Sequence, residues 1–391
     1  MKIYNAIVLI FLAAFLHGCY EPEDTTPSYV KTTKEFGGDS LDFARKIIPA
    51  NDGNYLILGE TRSFGDRESD VYLVKVKENG DMIWEQTYGG EQYEEGHDIV
   101  EHPDGNYYIA GSTTSFGSGG ADMMFIKVDA MGNQVLMKTY GGIYYDKAFF
   151  ISLTSDNSLL TGGYMTNMAT RQKNVNIRKL TTGGQQLWTS SYGSDTTDLA
   201  RNAIDNGKGY VIIGQTTVAE ENENITLTQL DYEGNFMWQR RFGGPGMDDM
   251  RDIVETGGGD YLMCGFSGNF YDNGNNDVYL LQTSPAGDSL LSSHYGNEGE
   301  ADFEEGYGII KAADGGYYIS GRQKGAMLLL KANENLQITS QATYGDIFIS
   351  YTAIGYDLLE KPDGSLIVVG GQPFSDNGDM LFLEVDPAEF E

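Results

Sequence analysis

From residue 29 onward, apolar residues come in short runs rich in Val, Ile, Tyr, Phe and Leu, bounded by Gly, Asp and Asn. Runs of that length and composition predict β-strands. One set ends on glycine: YLILG (55–59), YYIAG (107–111), YLMCG (261–265) and LIVVG (366–370). A second set opens on an acid: DVYLVKV, DMMFIKV, DVYLLQT and DMLFLEV, beginning at Asp70, Asp122, Asp277 and Asp379. Between the strands lie tight turns such as Asp52-Gly53, Asp104-Gly105, Asp156-Asn157 and Asp363-Gly364, residue types that accept positive φ in hairpins.

These units repeat. An aromatic residue followed by glycine recurs with its glycine at 37, 89, 141, 193, 243, 296 and 345, a mean step of about 51 residues. Each copy reads as four strands, and four antiparallel strands repeated radially describe a propeller blade. The last copy stops after its third strand, near Asp386. Its fourth is expected from the other end, where YVKTTKEFGG (29–38) aligns with MIWEQTYGG (82–90). The predicted fold is therefore all-β: a seven-bladed β-propeller with four antiparallel strands per blade, the ring closed by an N-terminal strand that completes the C-terminal blade. Such closure removes the free edges an open solenoid would expose. Residues 29–386 resemble the lipoprotein and secreted β-propeller families built from roughly fifty-residue GG…D…DG…G-x-T-x-S…D…K repeats, a resemblance that implies fold and not activity.

The N-terminus, MKIYNAIVLIFLAAFLHGC, carries one lysine and then an apolar run from Ile7 to Leu16, too short for a stable membrane span. Its end, Leu16-His17-Gly18-Cys19, resembles a bacterial lipoprotein signal, which implies lipidation of Cys19. His17 is an unusual occupant of its place. Glu21, Glu23 and Asp24 resemble the export signal of surface lipoproteins in the Bacteroidetes group. The expected organisation is a signal peptide over 1–18, a lipidated cysteine and tether over 19–28, and one propeller domain over 29–391. Outer-membrane anchoring follows from the resemblance, with the domain on the periplasmic or the surface-exposed side.

Composition narrows the partners. The 391 residues hold 57 acidic and 26 basic side chains, a formal charge of −31, which argues against nucleic acid or an anionic bilayer surface. Two cysteines, Cys19 and Cys264, exclude a disulfide scaffold.

Candidate chemistry lies at repeated positions. An acid stands five residues past the repeat glycine in most copies: Asp42, Glu94, Asp146, Asp198 and Asp248; Glu304 matches in the sixth if three inserted residues are allowed, while the seventh puts Ala353 there. These carboxylates read either as turn caps that accept backbone N–H bonds or as a ring around the channel that concentrates cations or binds Ca²⁺. The acids and amides opening the third strands read as caps. Trp84, Trp188 and Trp238 are expected between adjacent sheets, and Cys264 in an inert small-hydrophobe slot.

Long, varied loops cluster on the face that carries the blade-to-blade crossings, at 61–70, 216–224, 267–277 and 372–379, and binding is assigned there. Tyr144, Tyr145, Phe270, Tyr271 and Asp272 are its candidate contacts, suited to a partner's apolar anchor or to a sugar.

No catalytic residues are assigned. His97, His102 and His294 fall on different repeats or opposite strand faces, no arginine cluster is visible along the chain, and the Ser-x-Asp-x-Gly-x-Thr boxes of sialidase-like propellers are missing. The expectation is a lipid-anchored binding or scaffold protein, monomeric apart from its partner, that engages a protein through the acidic long-loop face. The alternative is a glycan- or peptide-capturing surface lipoprotein, with calcium or without. A hydrolase using paired carboxylates such as Asp248/Asp249 ranks below both.

Overall fold

A computed structural model describes residues 27–65, 68–219, 222–268, 275–296, 303–345, 353–372 and 378–390. The described residues form 28 strands, β1–β28 in chain order, arranged as seven four-stranded antiparallel sheets. Blade one holds β2 (Asp42–Pro49), β3 (Tyr55–Thr61), β4 (Asp70–Val76) and β5 (Met82–Tyr88) in that order from inside to outside. The inner strands of blades two to seven are β6 (Glu94–Glu101), β10 (Lys147–Leu153), β14 (Asp198–Asp205), β18 (Asp248–Glu255), β22 (Glu304–Lys311) and β26 (Ile354–Glu360). Each inner strand packs against the inner strands on both sides, and β2 against β26, so the ring is closed.

Closure uses the N-terminal strand. β1 (Val30–Phe36) pairs antiparallel with β28 (Met380–Val385), which follows β27 (Leu366–Gly371), and blade seven therefore reads β26-β27-β28-β1. The register runs from Val30 opposite Val385 to Phe36 opposite Met380. Tyr29 reinforces the seam: its ring meets Phe390 edge-on at 5.7 Å, and its hydroxyl donates to the Thr343 carbonyl of blade six.

The hydrophobic core is divided among the seven gaps between blades. The gap between blades seven and one buries Phe382 and Met380 against Tyr72 and Val74, and the next buries Leu58 and Val71 against Ile109 and Met124. All three tryptophans lie in such gaps, Trp84 between blades one and two, Trp188 between three and four, Trp238 between four and five. Cys264 is fully buried between blades five and six, where burial holds its thiol well above its ordinary value. The short turns form as expected. Asn157 holds φ +58° where other blades use glycine, a conformation that asparagine tolerates better than most residues.

Candidate binding site in the lumen

Every inner strand slips register against its neighbour at the same place. The slips fall between Ala44 and Lys46, Gly96 and Asp98, Ala148 and Phe150, and Ala200 and Asn202. They continue between Met250 and Asp252, Gly306 and Gly308, and Gly355 and Asp357. The unpaired residue of each bulge is Arg45, His97, Phe149, Arg201, Arg251, Tyr307 or Tyr356. A bulge re-aims side chains, and here it turns two consecutive residues toward the axis in every blade but the sixth, which gives Tyr307 alone. These seven residues, with Lys46, Asp98, Phe150, Asn202, Asp252 and Asp357 from the next position, line a cavity of about 270 Å³.

The upper of the two rings is cationic and aromatic. Arg45 Nε donates to Glu60 Oε1 at 2.7 Å, and its guanidinium lies 4.9 Å from the Phe43 ring and 5.6 Å from that of Tyr356. Burial opposes its charge, but Glu60 and neighbouring anions outweigh burial and hold Arg45 above its ordinary value. Arg201 and Arg251 share one buried carboxylate, Asp249, at 2.8 and 3.1 Å. Arg201 lies over Phe149 at 5.2 Å, and Arg251 is 5.5 Å from both Phe266 and Tyr307. Burial and then the Arg251 charge lower the Arg201 value. His97 meets Phe149 edge-on at 5.1 Å and Glu95 at 3.2 Å, and burial pulls its imidazole down to about 4, so it is neutral at pH 7.

The lower ring holds three acids, Asn202, Phe150 and a single lysine. Asp98 accepts the backbone N–H groups of Ile99 at 2.9 Å and of Ile151, in the next blade, at 2.8 Å. Asp252 does the same for Ile253 and Ile309 and also accepts Asn202 Nδ2 at 2.8 Å. Asp357 accepts Ile47 N–H at 3.0 Å and pairs with Lys46 at 3.2 Å. These acids clip blade two to three, five to six and seven to one while facing the cavity.

The six repeated acids of the sequence pattern sit three residues earlier on the same strands, outside the lumen lining. All six are buried. Asp42 accepts Gly38 N–H at 2.9 Å, Glu94 Gly90 N–H at 2.7 Å, and Asp146 the N–H groups of Gly142 and Thr166, both at 2.7 Å. Asp198 accepts Ser194 N–H at 2.5 Å, Asp248 Gly244 N–H at 3.0 Å, and Glu304 Gln323 Nε2 at 3.1 Å. The first five cap the turns entering their blades. The ring facing the channel is a different one, three and four residues on. Among the described residues no three His, Cys, Asp or Glu side chains converge to hold a metal. The repeat glycine is explained by the same caps. A Cβ on Gly141 would collide with Asp122 Oδ1 and come within 2.7 Å of Asp146 Oδ2.

On the long-loop face Tyr145 is 61% exposed, and Tyr144 is half-buried with the Arg171 guanidinium 5.8 Å above its ring. Phe270, Tyr271, Asp272 and Cys19 lie outside the described residues. His102 is structural: Nδ1 accepts Asp104 N–H and Nε2 meets the Asn157 carbonyl, both at 3.0 Å. The expectation that the chain lacks an arginine cluster is corrected here. Arg45, Arg201 and Arg251 are up to 206 positions apart, and only the common bulge brings them together.

No protein-family model matches the chain, and neither does the sequence of any curated protein. Solved structures do. The Pseudomonas aeruginosa periplasmic gluconolactonase PpgL aligns over 84% of this chain and 95% of its own at TM-score 0.56 and 11% identity. The Neurospora crassa Pan2 WD40 domain aligns over 90% and 95% at TM-score 0.55 and 9% identity. Drosophila Plexin A, solved in complex with Semaphorin 1b, aligns over 91% and 88% at TM-score 0.52 and 10% identity. The likeness is one of fold. At such identities it carries no activity to this chain.

Proposed function

We propose that the chain is a lipid-anchored extracytoplasmic binding protein whose long-loop face engages a partner protein. The observation that supports this reading is a set of exposed apolar side chains on the long-loop face. Phe64, Tyr93, Phe116, Tyr145, Met168 and Phe303 are all exposed, and all stand on loops that join second to third strands or one blade to the next. Topology puts those loops on one face. Scattered apolar residues are ordinary on a protein surface, but a series around one end of a ring suits a partner. The formal charge of −31 favours a partner with a cationic rim, which the field would steer and orient. The lipoprotein-like ending at Cys19 and the acids behind it place the domain at the outer membrane in this proposal.

Crosslinking in cells, purification of the lipidated protein and mass spectrometry of what accompanies it test the reading. The parent is expected to carry a stoichiometric protein. Phe116→Ser with Tyr145→Ser is expected to lose it while the melting temperature barely moves, since exposed substitutions usually stay within about 0.5 kcal/mol. Recovery of the same partner by the double variant would overturn the assignment of the face.

A further inference from the structure

We propose that the lumen cavity binds a small carboxylate that also carries hydroxyl or ammonium donors, its carboxylate held by Arg201 and Arg251. Charge counting motivates the first half. Arg45 has Glu60 to itself, and Lys46 has Asp357, whereas Arg201 and Arg251 share Asp249 alone. At ion-pair distance two guanidinium groups there meet one carboxylate, with Glu223 and Glu305 acting on them from farther off. A ligand carboxylate would be a second direct partner, in the bidentate geometry that guanidinium groups favour.

The donors are held, and part of them is available: Arg201 spends Nε and Nη2 on Asp249 and Gln215 and keeps Nη1. Among the described residues the terminal N–H groups of Arg45 and Arg251 meet no hydrogen-bond acceptor, since Arg45 spends only Nε on Glu60 and Arg251 contacts Asp249 through Nε. Stacking on Phe43, Phe149, Phe266 and Tyr307 fixes the three guanidinium planes before any ligand arrives, so little ordering cost remains to binding.

The lower ring supplies the second half. Asp98 and Asp252 each use oxygens on backbone N–H groups, but an ionised carboxylate has about four acceptor sites, and these two residues line the same cavity as the arginines. Hydroxyl or ammonium groups opposite the ligand carboxylate would meet them. This two-signed lining disfavours a bare inorganic anion, whose charge would face Asp98 and Asp252 as closely as the arginines. The volume of about 270 Å³ restricts the ligand to a small molecule. The inference goes beyond the loop-face reading and shares no residue with it.

Calorimetry on the full chain in detergent tests it, using glucuronate, gluconate, malate and glutamate, each beside a neutral counterpart, and sulfate. At least one acid is expected to bind at one site per chain, tighter than ~1 mM. Its amide or neutral analogue should be weaker by roughly tenfold or more, the worth of a charged hydrogen bond. Arg251→Lys keeps the charge but loses the fork and is expected to weaken the acid by a similar factor. Arg240→Lys, on the outer strand of blade four, should change nothing. Should Arg251→Lys fail to fold, the comparison of acid with amide on the parent still decides. No binding by any acid, equal binding by the neutral forms, binding of sulfate alone, or undiminished binding by a folded Arg251→Lys would each overturn the proposal. Phe116→Ser with Tyr145→Ser should leave acid binding intact, so failure of one reading is distinguishable from failure of the other.

Discussion

His97 and Asp98 are consecutive residues that the lumen drives toward neutrality from opposite sides. Burial takes His97 from its ordinary 6.5 down to about 4, against the pull of Glu95 and with help from Arg45. Burial takes Asp98 from 3.8 up to about 6, against Lys46 and the two backbone donors and with help from Asp357. The linkage signs oppose. The depressed His97 contributes stability that is present above about pH 6.5 and lost as pH falls toward 4. The raised Asp98 contributes stability that is present below about pH 4 and lost as pH rises through 6. Each shift is worth up to about 3 kcal/mol, so the two largely offset between pH 4 and 6. Substituting one should unmask the other. Relative to the parent, His97→Gln is expected to gain melting temperature on acidification from pH 6.5 to 4.5, and Asp98→Asn to lose it. Calorimetric scans across that range check both, and parallel curves for all three proteins would refute the assignment. At this scale the sequence was only partly legible. His97 is visible as a histidine, but its neutral state depends on burial and on the Arg45 charge, and Arg45 and the Phe149 ring beside it come from other blades.

The inner strand shows what an element conceals. Its turns, its glycines and its capping acid were readable from periodicity, and the caps do what carboxylates at a re-entering chain do. The bulge is not legible, because one extra residue in an eight-residue strand leaves the run looking continuous. Its trace lies in register across repeats: Arg45-Lys46, His97-Asp98, Arg201-Asn202 and Arg251-Asp252 are polar pairs flanked on both sides by small or apolar residues, always three and four residues past the cap. A regular strand would have no reason to place two polar residues in succession there. β1 is the element whose role was fully legible, since its alignment with a fourth strand required a blade lacking one. Deleting residues 29–36 removes the whole β1–β28 ladder and the Tyr29 contacts, and exposes the gap beside Leu383 and Val385. The expected result is a fall in melting temperature of well over 10 °C, or a chain that opens and associates through the bare edge of β28. A melting temperature unchanged by the deletion would contradict ring closure by β1.

At the scale of the molecule, seven similar blades build an asymmetric site. Repetition supplies the frame and the two inward positions per blade; substitution at those positions supplies the chemistry. That is why fold was readable from the repeat while the site was not: the resemblance rests on positions alike in every blade, and the lumen on positions that differ. The acidic surface and the partly cationic lumen belong to the same chain, so a formal charge of −31 is a poor guide to the sign of its interior. Anchoring has its own test. Cys19→Ala is expected to move the protein from the membrane pellet to the soluble extracytoplasmic fraction with its melting temperature unchanged, because residues 19–28 precede β1. Retention in the pellet would refute lipid attachment at that cysteine.

The direction of β1 has a consequence for how such an anchored domain would stand. The strand begins at Val30, opposite Val385, and ends at Phe36, opposite Met380, where the chain arrives from the long loop before β28. Its first residue therefore lies on the side of the two-residue turns. A lipid on Cys19 would moor the disc by that underside, and ten residues of tether reach at most about 36 Å. The long loops and their exposed aromatics would then look away from the bilayer, leaving the whole upper surface open to whatever approaches from the aqueous side.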